Sequence, residues 1–394
     1  MMLDMVIIIN IGPFSHLFER AMDRLDKKFD HELQSVRIAK LILRQLSTKH
    51  EFTIDIDIDL IAALITGDAT YPYLHERPFM NDLVHNSSSG LDVDKLDYLI
   101  RDSYMVGMAV TFNTDRLFKG AVIVTNIPNS QSAKDYCLAF PEKEKIHILE
   151  VFLCRHRLYR TVYTHAVARA VEWMVIDIFA LADKFYNFQH LVDTDYLRLT
   201  DDILCEIGRS NEPLLQEARE IVRRIDKRQL YKKVMQKMIP ESVYNNLVRQ
   251  KTRDPYFMLS HTDPSAIDFP KENVIIDLFK VNCGKGKENP LKFINYVDRE
   301  NELIPLKDFN MDDVSSIAPK QYEEYIMRVY CKNPEYLGEV HAVVKHYWDT
   351  ELSHKCQGNI TDFTPSKTKD GYNTETTNEA SPTPIGKKRK IEFE

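Results

Sequence analysis

The sequence predicts a mainly α-helical protein with a small α+β lobe near its carboxyl end, and three observations carry that expectation. Apolar residues recur at spacings of three and four through HELQSVRIAKLILRQL, through LDVDKLDYLIRDSYMVG and through the long run from Glu142 to Phe188. Past residue 255 the pattern changes to strand-like runs broken by a Gly/Lys turn. Past about 355 it changes again, to Thr, Ser, Pro, Lys and Asn with few hydrophobic residues, which cannot support a core and reads as disordered. The expected organisation is a helical domain over 1–250, a small lobe over 251–354 and a tail over 355–394. With 394 residues, 44% of them hydrophobic, the chain can bury one large core or two moderate ones.

The first element is an aliphatic run, Val6 to Ile9, followed by the polar turn GPFSH. Ile7 to Ile9 have strong β propensity and should either pack as an irregular terminal segment or stay exposed and promote association. The run has no positive flank and is too short to span a bilayer, and nothing later reaches that length, so a soluble intracellular protein is expected. In the next helix Leu33, Val36, Ala39, Leu43 and Leu46 mark one face. DLIAALIT is a short helix ending near Gly67, and YPYLHERPFMNDLVHNSSSG is a loop, a helical turn and a polar bend. In the helix beyond it, Leu96, Leu99 and Ile100 give the buried face.

AVIVTNIP and YCLAF are strands by their β-branched and aromatic content. Helices resume from Glu142 with one break, and the helical pattern extends through EPLLQEAREIVRRIDKRQLYKKV. In the lobe CGKGKENP reads as a hairpin turn, and IAPKQYEEYIMRVYC and EYLGEVHAVVKHYWD as closing helices.

The net charge of -7 gives no global basic excess that would advertise nucleic-acid binding. The six cysteines lie far apart without a CxxC pair, which points to reduced thiols. A P-loop, GxSxG, a dinucleotide fingerprint and a kinase set are all missing.

Four constellations could carry chemistry. His16 and His31, fifteen residues apart, could face one pocket across a helix-turn-helix; two ordinary hydrogen-bonded histidines are the alternative. In DVDKLDYLIRD, Asp94, Tyr98 and Asp102 lie along one helical face with Lys95 flanking it. A carboxylate suits a divalent metal, a lysine suits phosphate and a tyrosine can close over a sugar; a solvated charged face is the alternative. In RHRLYRTVYTH, Arg155, Tyr159 and Tyr163 are spaced by four, and arginine forks bind phosphate oxygens well. RRIDKRQLYKK is the most basic run of the body, either an anion site at a subunit boundary or a solvated helix end.

Taken in order, GPFSHLFE, HE, GLDVDKLDYLIRD, RLYRTVYTHAV and IAPKQYEEYIMRVYCK resemble the HD-domain deoxynucleoside triphosphate triphosphohydrolases, from about residue 9 to 350. The resemblance implies an HD-domain-like helical core and cleavage of dNTPs to deoxynucleoside and triphosphate. It also implies a homotetramer assembled by deoxynucleotide and guanine nucleotide effectors, and a divalent metal (Zn, Fe, Mn or Mg). By the same resemblance Asp94 is the last metal ligand, His16 the general acid and His31 a second pocket histidine. Lys95, Tyr98 and Arg155 surround the substrate phosphates, and Asp102 and Tyr163 stand near the sugar. Arg116, Lys143, Arg228 and Lys232 sit where the family places effector contacts.

One departure stands out. The family's HDxGHGPFSH reads here Ile7, Ile8, Ile9, Asn10, Ile11, Gly12 before the proline, so the chain reads as amino-terminally incomplete and only one of four protein metal ligands remains. One carboxylate with water holds a divalent ion weakly, so catalysis is expected to be impaired. A catalytically inactive, nucleotide-binding scaffold and a single-stranded nucleic-acid binder using the two basic runs are the competing classes. In the tail Thr364, Ser381 and Thr383 precede prolines, and Lys387 to Lys390 resemble a nuclear import signal, which points to the nucleus with the cytoplasm as a second compartment.

Overall fold

The computed structural model describes residues 16–49, 57–125, 127, 130, 132–188, 199–254, 256–261, 267–305, 314–315 and 319–356. The run at Ile7–Ile9, the three tail sites before proline and the basic cluster at Lys387–Lys390 lie outside them. The described part is mainly helical, with a small α+β lobe, as the sequence patterning requires.

Helix α1 (His16–Arg24) opens the described residues, and α2 (His31–Lys49) starts after a short loop. The buried face of α2 carries Gln34, Ile38, Ala39 and Leu43, whereas Leu33 is exposed, so the apolar stripe begins one turn later than its spacing suggested. Helix α3 (Ile58–Thr66) is capped by Asp57, whose carboxylate accepts from the N–H groups of Asp59 and Leu60. It ends at Gly67, whose φ of 65° is the left-handed conformation a glycine stop provides. Short helices Pro72–His75 and Phe79–Val84 lead to α4 (Val93–Met105). There Leu96 and Leu99 are buried as expected, but Ile100 is exposed and Ser103 completes the buried face.

Helix α5 (Thr114–Gly120) precedes β1 (Val122–Thr125) and β2 (Tyr136–Pro141). Helix α6 (Lys145–Leu158) then runs into a π turn (Tyr159–Tyr163) and on to α7 (Ala166–Tyr186). Leu96 and Leu99 of α4 join Ile148, Leu149 and Phe152 of α6 in one core cluster. Phe18, Ala21 and Met22 of α1 join Ile178, Phe179 and Ala182 of α7 in another. Phe18 is its hub, meeting Phe29, Phe179 and Phe188 edge-on at 5.1, 5.3 and 5.4 Å.

After α8 (Ile203–Arg209) and α9 (Gln216–Asp226) the structure departs from the sequence reading. The helical pattern was expected to continue through RQLYKKV, yet α9 stops at Asp226, Arg228 adopts a φ of 58°, and Lys232–Met238 is strand β3. Helix α10 (Glu241–Arg253) and β4 (Val274–Asn282) come next. IAPKQYEEYIMRVYC was expected to be helical; Glu323–Cys331 is instead β7, after β5 (Asn295–Val297) and β6 (Leu303–Ile304). β7 is the central strand of the sheet β3–β7–β4 and antiparallel to both neighbours. It is buried almost throughout, so it lacks the alternation that would identify a half-exposed strand. CGKGKENP is not a hairpin either. β5 pairs in parallel with β2, in the sheet β1–β2–β5–β6, so this loop crosses from one sheet to the other. Helix α11 (Leu337–Tyr347) packs against β3 and β7. Among the described residues no helix is long and apolar enough to cross a membrane, and all six cysteines are free thiols.

Buried charges hold the sheet to α7. Asp277 of β4 is 2% exposed and takes a fork from Arg169 of α7, at 3.1 Å from Nε and 2.5 Å from Nη2. Arg169 also reaches Glu172, which Arg20 of α1 contacts in turn. Removing one partner of a buried ion pair strands the other charge, so Asp277→Ala should lower the unfolding free energy by about 3–5 kcal/mol. Urea denaturation beside the exposed-pair variant Asp97→Ala checks this: the exposed change should move stability by no more than about 1 kcal/mol.

Candidate functional site

The site starts with the cap of α4. Asp92 accepts the N–H of Lys95 at 2.9 Å and that of Asn86 at 3.1 Å, which fixes where the helix begins. Asp94 and Lys95 are thereby placed in its first turn, with Tyr98 and Asp102 further along the helix. Arg155 comes from the last turn of α6 and lies over the Tyr159 ring, 4.0 Å from its centroid.

Lys95 and Arg155 are neighbours. Burial lowers the ammonium pKa of Lys95 first, and Arg155 and Lys285 lower it further against the pull of Asp92 and Asp94. Burial raises the phenol of Tyr98, with the Arg155 charge opposing it. Burial likewise raises the Asp94 carboxyl, and Asp92 adds to that shift. Tyr163 donates to Asp102, and burial together with that bond pushes its phenol well above the ordinary range. Lys95, Tyr98, Asp102, Arg155 and Tyr163 therefore form one continuous polar group, with Asp94 at its edge.

Three members were missed in the sequence because they come from the far side of the chain. Arg155 donates through Nη1 to the backbone oxygen of Asn282 and, at 3.0 Å, to its Oδ1. That same Oδ1 accepts the Gly284 N–H at 2.8 Å. Gly284 has a φ of 107°, and a Cβ there would stand 3.6 Å from Arg155 Cδ and 3.9 Å from Lys95 Cε. Lys285 donates to the Ser87 carbonyl at 2.8 Å, pinning the crossover loop to the bend before α4. The Gly-Lys-Gly-Lys composition of that loop was the available signal.

The π turn aims Tyr163. Thr164 donates both its N–H, at 3.0 Å, and its hydroxyl, at 2.7 Å, to the Tyr159 carbonyl. On the far side Arg328 donates to Thr164 O and Tyr330 to Ala166 O, each at 2.8 Å, so β7 satisfies the carbonyls the interruption frees.

The two histidines do meet. The rings of His16 and His31 lie 4.5 Å apart edge-on, and His31 Nδ1 is 2.8 Å from Glu19 Oε2. Contacts among the described residues do not join this pair to the Lys95–Arg155 group. Of the proposed effector residues, Arg116 and Lys143 line one groove of about 530 Å³. There Arg116 forks onto Glu144 at 2.8 and 3.0 Å, so an incoming anion has to compete with a carboxylate. Arg228 and Lys232 are exposed, on the α9–β3 turn and at the start of β3. The remaining cations of RHRLYR are engaged internally: Arg157 with Ala109 O, and His156 and Arg160 with Glu324.

A family model described as HD associated region matches residues 144–357. The deoxynucleoside triphosphate triphosphohydrolase SAMHD1 homolog of Dictyostelium discoideum is 28% identical over 338 residues, covering 85% of this chain and 61% of that protein. Deoxynucleoside triphosphate triphosphohydrolase SAMHD1 of Xenopus laevis is 28% identical over 368 residues, covering 82% and 56%. Its Homo sapiens counterpart is 27% identical over 360 residues, covering 82% and 55%. The chain thus spans less than two thirds of the length of these relatives.

Any side chain at position 284 has to adopt a strained backbone beside two cations. Gly284→Ala should therefore destabilise the fold by about 1–3 kcal/mol, the usual cost of such a conformation outside glycine. Denaturant titration measures it, and Gly338→Ala, which meets open space in α11, serves as the control.

Proposed function

The chain belongs to the HD-associated-region family, and on that premise we propose that it binds a deoxynucleoside triphosphate at the Lys95–Arg155 group and hydrolyses it slowly. One observation carries this reading. Two cations from different helices stand together in a half-buried site, and among the described residues neither forms an ion pair with a carboxylate. Such an arrangement is unfavourable until an anion arrives, and a triphosphate supplies the charge and several acceptor oxygens. The names of the relatives supply the substrate class, dNTPs.

In this reading Lys95 and Arg155 hold phosphate oxygens, and Lys285 approaches them from the crossover loop. Tyr98 packs beside the phosphates. Asp102, oriented by Tyr163, accepts a hydroxyl hydrogen from the sugar. Hydrolysis bonds a water oxygen to the α-phosphorus, breaks its bond to the 5′ oxygen and returns a proton to that oxygen. His16, as the resemblance has it, is the source of that proton, worth about 10²- to 10⁴-fold.

The divalent metal of the family does not fit at Asp94. Its charged surroundings are Asp92, Lys95, Asp97 and Arg101, and among the described residues no group of three donors includes it. No step is routed through a metal there, and hydrolysis is accordingly slow. Effector binding by deoxynucleotide and guanine nucleotides at Arg116, Lys143, Arg228 and Lys232, in a homo-oligomer, belongs to the same proposal. Single-stranded nucleic acid is less well supported, because His156, Arg157 and Arg160 of RHRLYR have internal partners. A nuclear location, with the cytoplasm second, rests on the basic tail alone.

Isothermal titration with dGTP tests the binding step. Lys95→Ala and Arg155→Ala should each weaken binding at least about tenfold, whereas Lys233→Ala, on an exposed strand position, should not. Unchanged affinity in both site variants would sink the reading. Binding without release of free triphosphate would favour the scaffold alternative.

The sign of the pH dependence comes from Lys95. Its pKa is lowered in the free protein, and a bound anion raises it, so binding takes up a proton once the free site begins to lose its own. Affinity for dGTP should be full at neutral pH and decline on the alkaline side, earlier than an ordinary lysine would dictate. Lys95→Arg should flatten that decline, as read by the same titration from pH 7 to pH 10.

A further inference from the structure

Building on the Lys95–Arg155 group as the triphosphate site, and depending on that reading, we propose that Glu323 is a positioning residue: it holds Arg155 for phosphate through the side-chain amide of Asn282. Asn282 ends β4 and Glu323 begins β7, and the two are direct partners in the antiparallel ladder. Side chains so paired stand on one face about 5 Å apart, within reach of each other. Asn282 Nδ2 donates to Glu323 Oε1 at 3.0 Å.

A side-chain amide accepts at one end and donates at the other. In Asn282 the accepting end takes Arg155 Nη1 at 3.0 Å and the Gly284 N–H at 2.8 Å, and the donating end is held by Glu323. Without the carboxylate the amide loses its anchor on β7 and can move with the arginine it restrains. The bond to an ionised acceptor also polarises the amide, which makes Oδ1 a better acceptor for the guanidinium. The amide matters for a second reason. A carboxylate touching Arg155 directly would neutralise it and compete with phosphate for its N–H groups. With Asn282 interposed, the negative charge orients the guanidinium and leaves the cation available. Both Asn282 bonds draw on Nη1, so the edge formed by Nε and Nη2 is not spent on them and can fork onto phosphate oxygens.

Glu323 is itself firmly held. It is 8% exposed, its Oε2 accepts the Tyr325 hydroxyl at 2.5 Å, and Lys280 Nζ lies 3.9 Å from the same oxygen. Tyr325 and Lys280 each stand two residues along their strands, so they share the face of Glu323 and Asn282. Burial and the Glu323 bond raise the Tyr325 phenol, which keeps it a donor. On the loop side a Cβ at Gly286, whose φ is 57°, would stand 3.7 Å from Oε1, so the crossover loop closes over the carboxylate.

Isothermal titration of the full chain with dGTP and with inorganic triphosphate is the test. Glu323→Leu removes the acceptor at similar volume and should weaken both ligands by the same factor, at least about fivefold, the worth of one hydrogen bond. Glu323→Gln keeps an oxygen for Asn282 Nδ2 and should retain most of the affinity. Asn282→Asp sets a carboxylate against Arg155 and should weaken both ligands too. In an Arg155→Ala background Glu323→Leu should cost nothing further, whereas a lobe merely loosened by the substitution would lose affinity in both backgrounds. Urea denaturation of each variant reports its fold, and Asn282→Leu, which removes the same bond from β4, replaces Glu323→Leu in the cycle if that variant does not fold. The proposal is overturned if Glu323→Leu binds as the unaltered chain does while Arg155→Ala does not, or if its loss is the same in both backgrounds. It is overturned equally if Glu323→Gln loses as much as Glu323→Leu, or if dGTP weakens and inorganic triphosphate does not. Unchanged affinity in Arg155→Ala itself would instead remove the phosphate site, and the role of Glu323 with it.

Discussion

The buried Asp277–Arg169 pair is the interaction on which the arrangement of the molecule depends. A carboxylate so far from water is tolerable only beside a cation held in a fixed fork, and α7 provides one. This fixes β4 against the long helix, and β4 in turn positions the segment at its carboxyl end. Asn282, five residues on from Asp277, receives Arg155, and the next residues carry the crossover loop to Lys95. The geometry of the Lys95–Arg155 group is thus set from the lobe as much as from the helices.

A second set of buried groups does similar work nearby. Arg328 is 2% exposed and is fully engaged by Gln236, Tyr330 and Thr164, so its charge is dispersed over neutral acceptors. Asp177 meets Tyr231, Arg24 and Lys332. Helix-to-sheet contact here adds polar, directional bonds to the apolar cluster of Ala170, Met174, Ile275 and Tyr330. Directional contacts specify one register, whereas apolar ones tolerate sliding.

Much of the helical part was legible because its elements are long and one-sided: α4 reads plainly from Leu96 and Leu99, and α3 from its glycine stop. The errors have a common cause. β7 is covered on both faces, so its Glu-Glu-Tyr-Ile-Met-Arg-Val-Tyr-Cys run shows no period of two, and a buried strand then resembles a buried helix. Ile100 and Leu33 fit a spacing rule but fall outside the surface their neighbours cover. At the site, Asp94, Lys95, Tyr98 and Asp102 were visible together because one helix carries them. Asn282, Gly284 and Lys285 were not, since only tertiary contact brings residues nearly two hundred positions away to the same place. The histidine pair was legible as a possibility; Glu19 as its third member was not.

The π turn between α6 and α7 has a bearing on how this sequence can change. Each residue in a regular helix advances the side chains by about 100° around the axis. Between α6 and α7 that regular advance is broken twice: the π turn at Tyr159–Tyr163 adds a residue, and His165, extended at ψ 138°, caps α7 by accepting the Val167 N–H. Loss of one codon in this stretch would displace Tyr163 from Asp102 and Thr164 from Arg328 together, so the length of the segment is constrained along with its side chains.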